Sequence, residues 1–292
     1  MVIDIEALEA MSKSFQTIFY EKLQSTEVKH PLLASRVPST TRHNMYGWLG
    51  DFPQLKEWVG DRVIEALKGH DYTIKNKSFE ATIEVDRDDI EDDNLGVYRP
   101  RIEQLAMNAK LHPELLVALL LKAGFETECY DGQPFFDADH PVGGGVVSNT
   151  GGGSGTPWYL LNTSWPLKPM ILQIRRDPEL VSQDKPEDES VFMRKKFRHG
   201  VDYRGNVGLG LWQLAYGSKQ TLDATNYEAA RVAMMSFKKD NGDPLGIMPD
   251  LLVVPPTLDG AARKLLLNER DDAGATNEWY KTADLLTWPW LA

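Results

Sequence analysis

The sequence predicts an α+β fold, and three observations carry that prediction. Apolar residues recur at helical spacing near the N-terminus and again through a long stretch at 100–124; the period drops to two between residues 72 and 85; and the second half is a series of short β-rich runs separated by turn residues. With 292 residues, 42% hydrophobic and 26% charged, the chain can bury a full core and falls outside the disordered class.

Taken in order, Leu8, Met11, Phe15, Ile18, Phe19 and Leu23 recur at three and four and predict an amphipathic helix over 5–23. Residues 24–45 are polar and carry Pro31 and Pro38, which reads as an extended arm. Trp48, Leu49, Phe52, Leu55, Trp58, Val59, Val63, Ile64 and Leu67 predict a second helical unit dense in aromatics, read as core packing. Tyr72 and Ile74, then Phe79, Ala81, Ile83 and Val85, alternate with polar residues around Asn76-Lys77-Ser78 and predict a β-hairpin. An isolated hairpin is marginal in water, so its apolar face must lie on its own domain or on a neighbouring chain.

The acidic run from Asp86 to Asp93 precedes a helical stretch of 25 residues from Pro100 to Gly124 that reaches roughly 37 Å if continuous. Carboxylates before a helix start suit its dipole. Pro113 is expected to kink or divide the helix, and Gly124 to stop it. Residues 131–157 are rich in Gly and Asp and predict a mobile loop. Strand-like runs follow at 158–161, 170–174, 191–198 and 207–214, with the polar Pro178–Ser190 segment between them. Helical period returns at 226–238 and 261–267, a buried strand is expected at 251–254, and 279–291 is aromatic and strand-like.

Composition excludes several functions. A net charge of -11 and the lack of a long basic run argue against a nucleic-acid grip, since phosphate contacts need clustered Lys and Arg. The single cysteine, Cys129, rules out an internal disulfide framework. The longest apolar run, Leu115 to Leu121, falls far short of the roughly 20 residues that cross a bilayer, and no signal segment is legible; cytoplasmic folding without a membrane is expected.

Candidate chemistry is sparse. The acidic run fails as an EF-hand loop, because counting from Asp86 puts Ile90 at the fifth position and Glu91 where glycine is needed. Asp137, Asp139 and His140 lie close together with Cys129 eleven residues upstream of His140, so a thiol nucleophile with a His base can be drawn, but no flanking motif supports it, and His140 before Pro141 reads as a backbone-capping group. The glycines at 143–145 and 151–153 lack a following Gly-Lys-Ser or Gly-Lys-Thr, and Gly205, Gly208 and Gly210 run opposite to the dinucleotide fingerprint. The tryptophans, at 48, 58, 158, 165, 212, 279, 288 and 290, are scattered among element ends and read as buried anchors. No catalytic residue, cofactor or metal site is expected, and the reading is that of a non-enzyme.

At residue level the chain resembles the Mu-like major head subunit family, gpT, with the Hong Kong 97-type capsid fold of tailed phages. The resemblance rests on Tyr46-Gly47-Trp48-Leu49-Gly50-Asp51-Phe52-Pro53, on Asp88-Asp89-Ile90-Glu91-Asp92-Asp93, and on Tyr130-Asp131-Gly132-Gln133-Pro134-Phe135-Phe136-Asp137 with Asp139-His140-Pro141. Gly210-Leu211-Trp212-Gln213-Leu214-Ala215 and Pro249-Asp250-Leu251-Leu252-Val253-Val254-Pro255-Pro256 complete it. None is a catalytic signature; their joint order carries the match, from about residue 46 to the C-terminus.

The resemblance implies a four-part organisation: residues 1–69 as N-terminal helix, arm and second helical unit; 70–87 as an extended loop lying over the adjacent subunit; 88–217 as a peripheral domain with a spine helix; and 218–292 contributing to an axial domain. It implies a major capsid protein that forms pentamers and hexamers of an icosahedral shell around double-stranded DNA, held without sequence-specific contacts. The expected assembly interface comprises Tyr72, Ile74, Lys75, Phe79, Glu80, Ile83 and Glu84. A separate scaffold protein, a maturation protease, a portal and decoration proteins are the expected partners, with assembly in the bacterial host cytoplasm and residence in the virion. A soluble hydrolase using Asp139 and His140, and a protein-filled compartment of the same fold, are the alternatives.

Overall fold

The computed structural model describes residues 5–292 except 48, 51–70, 87, 90–94, 186–187 and 271–272. Apart from Leu49 and Gly50, the expected second helical unit at 48–67 therefore lies outside the described residues, as does most of the acidic run at 86–93.

Helix α1 (Ile5–Ser25) forms as the periodicity predicts. Met11, Phe15 and Phe19, four apart on one face, are buried. They pack with Ile102, Leu105 and Ala106 of helix α3 (Arg99–Ala123) and with Val85, Phe197 and Val201 from strands β4 (Lys77–Asp86) and β10 (Lys196–Leu209), forming a core separate from the main one. Each of these large side chains contributes about 1.5–3 kcal/mol on burial. Helix α3 begins with Pro100 in its first turn, where a missing N–H is harmless, and runs through Pro113 as one helix of 25 residues. Pro113 therefore does not divide it; the ring is buried among its neighbours.

The arm is more ordered than its polarity suggests. After the short helix α2 (His30–Leu33), strand β1 (Ala34–Pro38) adds in parallel to β9 (Met170–Gln183), making a four-stranded sheet ordered β1-β9-β10-β4. The expected separator at Pro178–Ser190 begins as strand, since β9 passes straight through Pro178 and ends at Gln183. The register jumps here, from Asp202 opposite Glu179 to Arg204 opposite Arg176, so Asp177 and Pro178 form a bulge. A bulge, with no β1 partner beyond Ile174, is where a strand tolerates a residue lacking its N–H. The predicted strand at 191–198 is instead the end of a short helix α4 (Glu189–Arg194) and the start of β10.

The hairpin predicted at 72–85 does not form. Strand β3 (Thr73–Lys75) pairs with β2 (His43–Met45), while β4 pairs along its whole length with β10 of the same chain, Phe79 opposite Tyr203 and Val85 opposite Phe197. Period-two alternation reports a strand with one buried face; it carries no information on the partner. The Asn76 side chain anchors the crossing between β3 and β4, donating to Ser39 Oγ at 2.8 Å and to the Thr41 carbonyl at 2.9 Å.

The second sheet has five strands ordered β13-β12-β8-β11-β7. Its central strands β8 (Trp158–Leu161) and β12 (Leu251–Val254) are buried at every residue, as the continuous apolar runs predict. The expected run at 207–214 splits into the end of β10 and a 3₁₀ turn at Trp212–Leu214, and strand β11 (Ala215–Lys219), which follows it, carries no expectation from the sequence. Residues 131–157 are built rather than loose. Strands β5 (His140–Val142) and β6 (Gly145–Val147) pair through Gly143 and Gly144, both at positive φ, and β7 (Thr150–Gly153) joins the sheet edge. Helix α5 (Ala224–Met235) is capped by Asp223, which accepts from Asn226 N at 2.9 Å, and α6 (Asp259–Leu267) and β13 (Asp284–Thr287) complete the chain.

Candidate assembly interface

The seven residues expected at an interface divide between the two faces of the structure. Tyr72 is half-buried, and its hydroxyl accepts from Leu209 N at 2.7 Å. Ile74 is 4% exposed and fills the space that the missing side chain of Gly208 leaves, so its apolar surface is spent within its own chain. Phe79 is half-buried, edge-on to His112 at 4.2 Å and stacked on Tyr203 at 5.8 Å. Ile83 packs against the α1–α3 core. Lys75 and Glu80 point outward.

Glu84 lies on the outward face of β4, paired with Lys196 Nζ at 2.9 Å and with Arg198 Nη2 at 2.9 Å. The hydrogen bonds from Lys196 and Arg198 hold its carboxyl below the usual carboxylate range. Alternation puts Glu80, Thr82 and Glu84 of β4 beside Arg198 and Gly200 of β10 and Val181 and Gln183 of β9; Gly200, with no side chain, leaves a depression that these residues line. This is a solvated, charge-bearing sheet face with an exposed valine at its centre, a chemistry suited to the rim of a protein contact. Thus the inward face of β4 is covered within its own chain, and its outward face carries charge.

The structure also decides what the candidate hydrolase residues do. Asp139 is exposed, and Asp137 uses its backbone to hold Asn149, donating to Asn149 Oδ1 at 2.9 Å and accepting from Asn149 N at 3.0 Å. The partner of His140 is instead Asp131, at 2.7 Å from Nδ1; the other ring nitrogen faces Asn149 Oδ1 at 3.2 Å, and the ring stacks on Trp212 at 4.0 Å. Both nitrogens face partners within a fully buried ring, which leaves neither of them open to a substrate. Cys129 lies 3.0 Å from Asp131 Oδ1, and burial, reinforced by that carboxylate, pushes its thiol well above the ordinary range, away from the thiolate a nucleophile needs. Burial opposes ionisation of Asp131, but the hydrogen bonds from His140 and Cys129 outweigh it and hold its pKa below the usual value.

The ligand-type atoms of Cys129, Asp131 and His140 lie within 4.8 Å of one another, a spacing that could hold a metal ion. Their separations of 2.7 and 3.0 Å are hydrogen-bond lengths, and the network already uses the groups a metal needs. Asn149 closes it, donating from Nδ2 to the carbonyls of Phe135, Trp212 and Ala215 at 2.7, 3.3 and 3.2 Å. The Asp131-Gly132 turn and the Gly-rich stretch after His140 were the only local signals of this cluster. Nothing local announces Glu114, a 4% exposed carboxylate on α3 that accepts from the backbone N–H groups of Lys29 and His30 and from Trp290 Nε1. Both Trp158 and Trp212, with Trp288, are core anchors as expected; Trp48 and Trp58 lie outside the described residues.

A spine helix laid along a mixed long-stranded sheet, followed by a second five-stranded sheet, is the architecture of a phage capsid subunit of the Hong Kong 97 type, as comparison with solved structures shows. In agreement, the chain superimposes on a chain from the procapsid of bacteriophage JBD30 with a TM-score of 0.89 and 44% identity, covering 99% of this chain and 100% of that one. The chain belongs to the Mu-like prophage major head subunit gpT family, whose model matches residues 8–291. It is 42% identical over 280 residues, 92% of each chain, to the major capsid protein of Escherichia phage Mu. It is also 42% identical over 294 residues, 96% of each chain, to the Mu-like prophage FluMu major head subunit of Haemophilus influenzae.

Proposed function

We propose that this chain is the major head subunit of a Mu-like phage, tiling as pentamers and hexamers into an icosahedral shell around double-stranded DNA. The observation that carries this reading is the correspondence over 99% of the chain with a procapsid subunit at 44% identity, well above the level at which a shared fold alone would account for it. A net charge of -11 suits a shell that encloses DNA without gripping it. Closure of a symmetric lattice makes many modest contacts act together, so a charged, partly apolar sheet face is a sufficient contact. The subunit carries no catalytic role. Its partners in this reading are a separate scaffold protein, a maturation protease, a portal, and decoration proteins on the finished surface.

Of the residues expected at the interface, the outward Lys75, Glu80 and Glu84, with Tyr72 at the edge, are those we assign to contacts between copies; Ile74, Phe79 and Ile83 position the strands that present them. Sedimentation velocity and negative-stain electron microscopy of the full chain, with and without a co-expressed scaffold protein, test the assignment. Rings, tubes or shells are expected. Glu80→Lys, an exposed change, is expected to leave the subunit folded and to lower the assembled fraction. A compact monomer at all concentrations, with scaffold present, contradicts the proposal.

A further inference from the structure

Beneath α1 lies a histidine that capsid architecture does not require. His199, on the inward face of β10, is 0% exposed, and both of its ring nitrogens lack a hydrogen-bond partner. The ring meets Phe15 of α1 edge-on, with centroids 5.0 Å apart at 85°. Buried polar groups are ordinarily paired, so an imidazole with two orphan nitrogens is an exception that calls for a reason.

The surroundings are apolar on nearly every side. Ile83 of β4 and Ser182 of β9 are the residues opposite His199 in the sheet. The elements packed on this core bring Met11, Phe15 and Phe19 from α1, Ile102, Leu105 and Ala106 from α3, and Val191 from α4. Among the described residues of these elements, Lys13 and Glu21 of α1 are exposed, Glu103 of α3 pairs with Arg99 at 3.0 Å, and Arg194 of α4 and the adjoining Lys195 are exposed. One carboxylate, Asp184 just beyond β9, favours the charged ring from a distance, and burial overrides it to hold the pKa below its ordinary value of 6.5.

We propose that the seam between α1 and the sheet is a proton-sensitive latch, in which protonation of His199 is accommodated only by lifting α1 away and admitting water. A neutral ring is tolerated in this pocket, whereas an imidazolium there is a buried cation with no partner, which is costly. Helix α1 is the element able to yield. Its described side-chain hydrogen bonds, from Thr17 to the Lys13 carbonyl and from Ser25 to the Lys22 carbonyl, stay within the helix, so apolar packing is what holds it down. The sign follows from the depressed pKa: the closed seam has its full stability above pH 6.5 and loses it as the pH falls below 6.5 toward the folded-state value. One proton taken up on opening makes the opening equilibrium rise as the pH falls through that window, by at most about tenfold per pH unit.

The test is amide hydrogen exchange of the full chain, followed by mass spectrometry at pH 7.5 and 5.5 and corrected for the intrinsic pH dependence of exchange. Peptides from α1 are expected to open more at the lower pH, by a factor of at most about ten. His199→Phe, which keeps an aromatic ring against Phe15 and cannot take a proton, is expected to abolish that increase. Exchange of the imidazole C2 hydrogen in the unaltered chain gives a readout that needs no variant: His199 is expected to exchange in step with α1 opening. Equal α1 protection at both pH values overturns the proposal, as does a full pH response retained in His199→Phe. Rapid C2 exchange at His199 while α1 stays protected overturns it equally.

Discussion

Replacing Glu114 by alanine removes the acceptor for three N–H groups that come from opposite ends of the chain: the backbone of Lys29 and His30, and the indole of Trp290. Glu114 is 4% exposed, so the buried His30 N–H loses its partner outright, and the part-buried Lys29 N–H and Trp290 indole lose theirs with limited access to water. Each unsatisfied buried donor costs about 1–3 kcal/mol, and because the three share one carboxylate their costs do not simply add; a total of about 3–5 kcal/mol is expected. Glu114→Gln keeps one oxygen and turns an NH₂ toward either the backbone pair or the indole, for a smaller loss of about 1–3 kcal/mol. At roughly 2–3 °C per kcal/mol for a chain of this size, thermal melting should fall by roughly 6–15 °C for the alanine variant and by less for the glutamine variant. Hydrogen exchange should show the loss at residues 29–33 and at the C-terminus together. Alanine and glutamine variants that both melt within about 2 °C of the parent chain would refute the reasoning.

Other expectations follow from the same physics. Burial, with a smaller opposing attraction from Glu114, lowers the pKa of His30 from 6.5 to about 4, so its contribution is full above pH 6.5 and is lost as pH falls toward 4; His30→Gln should flatten urea-unfolding stability over that range. The Cys129 thiol should resist iodoacetamide in the folded chain and react fully in urea, since burial disfavours its thiolate; rapid native alkylation contradicts the placement. A Cβ on Gly208 lies 2.1 Å from Ile74 Cδ1, so Gly208→Ala should destabilise by about 1–3 kcal/mol, and Ile74→Ala in the same chain should recover part of that; additive losses in a double-mutant cycle argue against the contact. Asn149→Ala leaves three buried carbonyls without their donor and should cost about 2–4 kcal/mol, measured by urea unfolding, with no change of partner for β8 or β12.

Much of this fold was legible because burial on one face leaves a period in the sequence. The spacing of Met11, Phe15 and Phe19 and that of Tyr227, Ala230 and Met234 each record a helix resting on a surface, and the unbroken apolar runs of β8 and β12 record strands covered on both sides. Pairing leaves no such record. Alternation through Phe79, Ile83 and Val85 is the same whether the strand folds back on Ile74 or lies along Tyr203, His199 and Phe197, and only long-range geometry selects the second. Pro178 read as a break because the bulge that accommodates it is set by the partner strand β10. Polar hubs were the least legible: Glu114, Asp131, Asn149 and Gln173 take their partners from distant segments, as when Gln173 Nε2 reaches the Ile74 carbonyl at 3.1 Å while Tyr46 donates to its Oε1 at 2.8 Å. Of the proposed interface, the alternation identified the strand, and the register identified which of its residues face outward.

A cryo-electron-microscopy reconstruction of the particle assembled from this chain tests the account most directly. The account predicts a closed icosahedral lattice in which β4 stays paired with β10 of its own subunit, from Phe79 opposite Tyr203 to Val85 opposite Phe197, while Glu80 and Glu84 face an adjacent copy. A lattice in which β4 leaves β10 for a neighbouring subunit, or one in which that charged face meets only solvent, contradicts it.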